Sequence, residues 1–265
     1  MKKLVTITMI IFFCVILGAA QAPAETAKKE IKQVSQSDFS HYLDNIEMVA
    51  VPGGCFQMGS DTGSSDEKPV HEVCVSNYQI GKYEVTQGLW QAVMKNNPSH
   101  FQKGPDHPVE MVTWQDTQTF LKKLNAMTGK NFRLPTEAEW EYACFSGGKD
   151  EKFCGGNDAD ELAWYNYEGG KTTKKVGTKK PNGLGIYDMD GNVEEWVQDW
   201  YGKDYYASSP KHNPTGPAVE PEKNYGHVIR GGGWESGQAD LGAERDSGRS
   251  GKKTDHHGFR LALSE

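Results

Sequence analysis

Near the end of this 265-residue sequence Asp255, His256 and His257 stand in succession, a run of carboxylate and imidazole donors of the kind that holds a metal ion. Consecutive residues of a strand project to opposite faces, so the two rings are expected to part, one of them packed or hydrogen-bonded. Upstream, Trp234-Glu235-Ser236-Gly237-Gln238-Ala239-Asp240-Leu241-Gly242-Ala243-Glu244-Arg245 is a polar stretch, and its Trp234, Glu235, Ser236, Gln238 and Arg245 are candidates to line a pocket. His71, His107 and His227 are scattered without ligand spacing.

Thiols are the other reactive class. Of five cysteines, Cys14 lies in an apolar N-terminal run, leaving Cys55, Cys74, Cys144 and Cys154. Four cysteines allow three pairings. Two strand-like stretches around a Gly/Ser/Asp loop favour Cys55 with Cys74. Cys144 closes a helical pattern and Cys154 follows a short loop, which favours the second pair. Zinc is the rival reading, but there is no CxxC pair or neighbouring histidine cluster to support it.

The elements that must position these groups are short. The 30 glycines, 12 prolines and 7 tryptophans point to a loop-rich domain, with the tryptophans in the core and the walls of a groove. Strands are expected over residues 48–58, broken at Pro52-Gly53-Gly54, and over 70–80, 162–165, 185–188, 228–231 and 258–262. Three helices are expected: after Thr86, after Thr113 with Gly129 as its stop, and after Thr136, where Thr136-Glu137-Ala138-Glu139 is a capping box. Together they describe an α+β fold with short antiparallel sheets, a few packed helices and many loops.

Lys2 and Lys3 precede an apolar run over 4–17 and the small residues Gly18, Ala19 and Ala20, the pattern of an export signal with cleavage after Ala24. The run is too short to span a bilayer, so no stable membrane span is expected after cleavage. Residues 1–24 are read as a signal peptide, 25–45 as a polar linker and 46–265 as the domain, in a periplasmic or secreted protein whose thiols oxidise in pairs. The formal net charge of -7 argues against a nucleic-acid surface.

Several segments, taken in order, resemble one known family. They include Pro52-Gly53-Gly54-Cys55-Phe56-Gln57-Met58-Gly59-Ser60, Gly81-Lys82-Tyr83-Glu84-Val85-Thr86 and Arg133-Leu134-Pro135-Thr136-Glu137-Ala138-Glu139-Trp140. Gly185-Ile186-Tyr187-Asp188-Met189-Asp190-Gly191-Asn192-Val193-Glu194-Glu195-Trp196, Arg230-Gly231-Gly232-Gly233-Trp234 and Gly258-Phe259-Arg260-Leu261 follow. The chain resembles the formylglycine-generating enzyme, or sulfatase-modifying factor, family over about residues 46–263. The resemblance implies a fold related to C-type lectins and a structural calcium ion held by Asp188, the carbonyls of Gly191 and Val193, and Glu195, all hard oxygen donors. In the enzymes of the family, two cysteine thiolates hold the copper that oxidises a client cysteine. An ungapped match places Ser236 and Leu241 at those positions, and neither side chain replaces a thiolate, so no copper is expected.

The resemblance therefore implies a scaffold without the oxidase chemistry. The leading expectation is a binding or accessory and maturation protein for an exported polypeptide or glycan. The alternative is an oxygen-dependent enzyme of the wider superfamily, which includes sulfoxide synthases, with different chemistry.

Overall fold

The computed structural model describes residues 41–167, 170–221, 225–242, 244–248 and 251–264. The segment read as a signal peptide and most of the one read as a linker lie outside the described residues. Tyr42 and Leu43, at the linker's end, sit in a helical turn and pack against a core cluster.

Short extended runs divided by glycine and asparagine turns build three small sheets. Strands β1 (Met48–Val51), β4 (Tyr78–Gly81) and β9 (Ala262–Ser264) pair antiparallel in the order β1-β4-β9. Strands β2 (Gly54–Met58) and β3 (His71–Val75) form a hairpin in which Cys55 faces Cys74, and the two are disulfide-bonded. Cys144 and Cys154 form the second disulfide, as the loop spacing favoured. The third sheet has the order β7-β6-β5-β8, from β5 (Glu194–Trp200), β6 (His227–Arg230), β7 (Arg245–Gly248) and β8 (His257–Phe259). Its β5–β8 pair is parallel and sets Glu194 opposite His257.

Four strand expectations are corrected, the run over 258–262 among them: it divides into β8 and β9, which lie in different sheets, with Arg260 between them turned inward onto Glu195. The run over 70–80 is two strands, because Asn77 Oδ1 accepts the Gly53 N–H at 2.9 Å and the Ser76 N–H donates to Asn213 Oδ1 at 2.8 Å, bending the chain between β3 and β4. Over 162–165 the chain leaves a single helical turn, Ala159–Leu162, and makes only an isolated bridge from Trp164 to Gly191. Gly185 and Asp188 have φ of 84° and 52°, a left-handed backbone that no strand accommodates.

The helices begin where the hydroxyl caps put them. Helix α1 (Gln87–Met94) starts at Thr86, whose Oγ1 accepts the Leu89 N–H, and α2 (Trp114–Thr128) runs from the Thr113–Asp116 capping box to Gly129 at φ 68°. Helix α3 (Glu137–Cys144) follows the Thr136–Glu139 box. Each such cap stabilises by about 1 kcal/mol. Helix α3 buries Trp140 and Ala143 against the hairpin, while α1 and α2 bring Trp90 and Phe120 onto Phe259 and Trp196.

Against the first of these clusters, beside Trp140, Tyr201 and Tyr206, lies a group of buried charges. Arg230 pairs with Glu141, and Arg245 Nε donates to Glu137 Oε1 at 2.7 Å, both acids coming from α3. These contacts pin β6 and β7 to the helix. Removing one partner of such a pair leaves an uncompensated charge and costs about 3–5 kcal/mol.

Candidate functional site

The face of the β7-β6-β5-β8 sheet away from α3 carries a run of carboxylates. Glu194 opens β5, Asp246 lies on β7, and Asp240 and Glu244 come from the loop between β6 and β7. They line a cavity of about 270 Å³ whose floor is Arg230-Gly231-Gly232. A second cavity of about 390 Å³ shares Glu194, Ile229 and Asp246 with it and extends to His256, His257 and Lys252. A third, of about 500 Å³, shares Asp240 and Glu244 and reaches Glu67 and Gln238. The three form one acidic trough.

Local sequence explains how the loop folds over the trough. Gly232 has φ 66°, and a Cβ there would lie 2.6 Å from the Asp240 carbonyl, so only glycine lets the loop close this tightly. Ser236 Oγ accepts the Gly233 N–H at 2.9 Å, and Asp240 Oδ2 accepts the Gly237 N–H at 2.7 Å. Leu241 is buried in a small apolar cluster with Phe153 and Leu162. Every cysteine among the described residues is in a disulfide, so the trough has no thiol pair.

Burial is the main reason the Glu244 pKa is pushed up to about 8, and the neighbouring Asp240, Asp246, Glu194 and Glu67 carboxylates raise it further. The side chains expected to line a pocket divide. Ser236 and Gln238 line the trough, and Glu235 meets His256 at 2.6 Å. Trp234 is buried edge-on against Phe101 and Tyr167, and Arg245 is turned into the core against Glu137, Tyr201 and Tyr206. Arg245 failed as a pocket candidate because β7 alternates: its neighbour Asp246 takes the trough side.

His256 and His257 do not part. His256 lies in the turn before β8, where strand alternation does not apply, and the parallel pairing brings Glu194 Oε2 to 2.9 Å from His257 Nε2. Ligand atoms of Glu194, His256 and His257 all lie within 4.8 Å of one another. Burial opposes a charge on His256, but the Glu235 hydrogen bond and the Glu194 and Asp255 carboxylates outweigh it and raise its pKa. Glu194 was not among the residues picked out from the sequence. The available signal was its place beside Glu195: in a strand, the two must face opposite ways.

The turn over residues 188–195 lies behind the trough. Asp188 Oδ2 accepts the Gly177 N–H at 2.6 Å, and Glu84 accepts from the Val193 N–H at 3.1 Å and Asn192 Nδ2 at 2.7 Å. Glu195 is held by Arg260 Nε and Nη2, each at 2.6 Å, and by Trp140 Nε1 at 2.8 Å. Three buried carboxylates thus surround one guanidinium. Burial, with the nearby Glu195 charge, pushes the Asp188 pKa up to about 6, and burial with the Asp188 and Glu195 charges holds Glu84 well above the usual carboxylate range. Among the described residues, no loop or side-chain hydrogen bond goes to the carbonyls of Gly191 or Val193.

The profile of the "Sulfatase-modifying factor enzyme 1-like domain" matches residues 34–265. The chain belongs to the sulfatase-modifying factor family. Among its relatives, "Chaperone protein LppX" of Paenibacillus barcinonensis is 36% identical, over 72% of this chain and 79% of that protein. The formylglycine-generating enzyme of Streptomyces coelicolor is 34% identical, over 60% of this chain and 53% of that protein, so the match spans about half of the enzyme. In fold, this sulfatase-modifying factor domain is similar to Treponema denticola variable protein 1, with a TM-score of 0.76 and 33% identity over 82% of this chain and 95% of that one. Among the described residues of the domain, no helix is long and apolar enough to cross a membrane.

Proposed function

We propose that this sulfatase-modifying factor domain is an exported binding or accessory protein that holds a segment of a partner polypeptide in the acidic trough and does not oxidise it. The observation that carries the reading is the pair Ser236 and Leu241. At the positions that the family resemblance assigns to copper thiolates, one side chain is a hydroxyl engaged with the backbone and the other an alkyl group in an apolar cluster. A hard, neutral hydroxyl and a side chain with no donor atom do not fit copper(I). The carboxylates of Glu194, Asp240 and Asp246 favour a basic segment. The name of the chaperone relative supports the accessory role.

The same reading assigns a structural calcium ion to Asp188, the Gly191 and Val193 carbonyls, and Glu195. The donors are hard oxygens, and a divalent cation would offset the excess of buried carboxylate over guanidinium around Glu84. Among the described residues, Glu195 Oε1 accepts only from Arg260 Nη2 and keeps a lone pair for a cation, whereas Oε2 is filled by Arg260 and Trp140.

The decisive experiment uses the calcium-loaded protein and two peptides, one carrying the cysteine of a sulfatase motif and one basic and extended. Mass spectrometry is expected to find no formylglycine in the first, and fluorescence anisotropy to show salt-sensitive binding of the second. Formylglycine formation, or equal binding of an acidic peptide, overturns the proposal.

A further inference from the structure

Glu194, His256 and His257 offer two imidazoles and a carboxylate at the wall of the 390 Å³ cavity, converging to within 4.8 Å. The arrangement is built by backbone and not by flexible surface chains. The Glu194 N–H donates to the His256 carbonyl at 2.7 Å and Glu194 stands in register with His257, so the strand ladder fixes all three Cα positions. His257 packs edge-on against Trp196, with ring centroids 5.1 Å apart, and is 5% exposed.

The spacing of the donors also points to an ion. The separation of His257 Nε2 from Glu194 Oε2 is 2.9 Å. Two atoms each bonded at about 2.0–2.1 Å to one metal lie roughly 2.9–3.4 Å apart, so the pair already has the spacing of neighbouring ligands.

Glu235 adds an outer contact. Its Oε1 lies 2.6 Å from His256 Nδ1, with Asp255 Oδ1 at 3.3 Å. A carboxylate at Nδ1 fixes the tautomer with its proton there and leaves Nε2 as the metal-binding nitrogen. We propose that Glu194, His256 and His257 form a binding site for a divalent first-row transition-metal ion, open to the trough, with Glu235 as the residue that orients the His256 ring. Imidazole and carboxylate donors suit such ions, and three protein ligands beside a cavity leave a coordination position for water or a ligand. The site is separate from the proposed calcium turn, which offers oxygen donors only. It stands whether or not the trough binds a peptide.

The test uses untagged protein, stripped with chelator and reloaded with excess calcium so that the calcium turn does not compete. Cobalt(II) is then titrated while visible absorption is recorded, and zinc(II) is used to displace it. The expected result is one equivalent of cobalt with a visible band that zinc abolishes. His256→Ala and Glu194→Gln should each weaken binding at least about tenfold, and Glu235→Gln by about 10- to 100-fold. His256 is half-buried and outside the strand, so His256→Ala should retain the near-UV circular dichroism of the parent. Absence of stoichiometric cobalt binding to the parent, or equal binding by a folded His256→Ala variant, overturns the proposal.

Discussion

Arg260 grips Glu195 through two nitrogens, Nε and Nη2, each 2.6 Å from a carboxylate oxygen, with both side chains fully buried. Its remaining donors close onto the carbonyls of Gly81, Tyr187 and Asp188. Replacing it with methionine keeps the length but removes the guanidinium among Glu195, Glu84 and Asp188. Arg260→Met should therefore lower stability by about 3–5 kcal/mol, read as a fall in the urea midpoint. A loss below about 1 kcal/mol would mean that the guanidinium is not the fixed point of this turn.

Calcium linkage gives a second expectation. A ligand bound only by the folded state raises stability by RT ln(1 + [L]/Kd), about 2.7 kcal/mol at a hundredfold excess over Kd. Chelator should lower the melting temperature of the parent and leave that of Asp188→Ala unchanged. No shift in the parent, together with no calcium by elemental analysis, removes the calcium assignment.

His227 lies flat between Trp114 and Trp200, with ring centroids 3.7 and 3.8 Å away. Burial is the main cause of its pKa falling from 6.5 to about 4, against the raising effects of its contacts with the Gln198 and Asp199 carbonyls and of the Glu220 charge. The unfolded chain protonates first as pH falls. The stability that His227 contributes is thus present above about pH 6.5 and is lost between there and about pH 4. Asp190, raised to about 6 mainly by burial, acts in the opposite sense over part of this window, so the comparison must be with a variant. His227→Phe should flatten the acid-side slope of unfolding free energy against pH, and an unchanged slope would refute the assignment.

Glu244, with its pKa near 8, is largely protonated at neutral pH. Raising pH from 7 to 9 adds a negative charge to the trough, so an arginine-containing peptide should bind more tightly at pH 9. Glu244→Gln should abolish that increase while leaving binding at pH 6 nearly unchanged. Affinities that fall with pH in both proteins would exclude the trough as the binding surface for basic segments.

Legibility followed the reach of the interactions. Caps and hairpins are local, so Thr86, Thr113, Thr136 and the Cys55–Cys74 ladder could be read from neighbouring residues. The family motifs singled out the turn around Asp188 and, through an ungapped match, Ser236 and Leu241. Strand β5 went unread, since its burial depends on partners at 227–230 and 257–259 and its sequence Glu-Glu-Trp-Val-Gln-Asp-Trp lacks clear alternation. The convergence of Glu194 with His256 and His257 was hidden for the same reason: a parallel ladder joins residues more than sixty positions apart.

Adjacent residues at the start of β5 are committed to opposite sides, Glu195 to the interior arginine and Glu194 to the trough. A single-residue insertion or deletion between Asp190 and Val193 would reverse that phase, sending the trough carboxylate inward and the anchoring one out to solvent. The length of a four-residue turn, and not only its composition, thus separates the acid that holds the fold from the acid that faces ligands. Members of this family that share the turn's residues but differ in its length should lose both roles together.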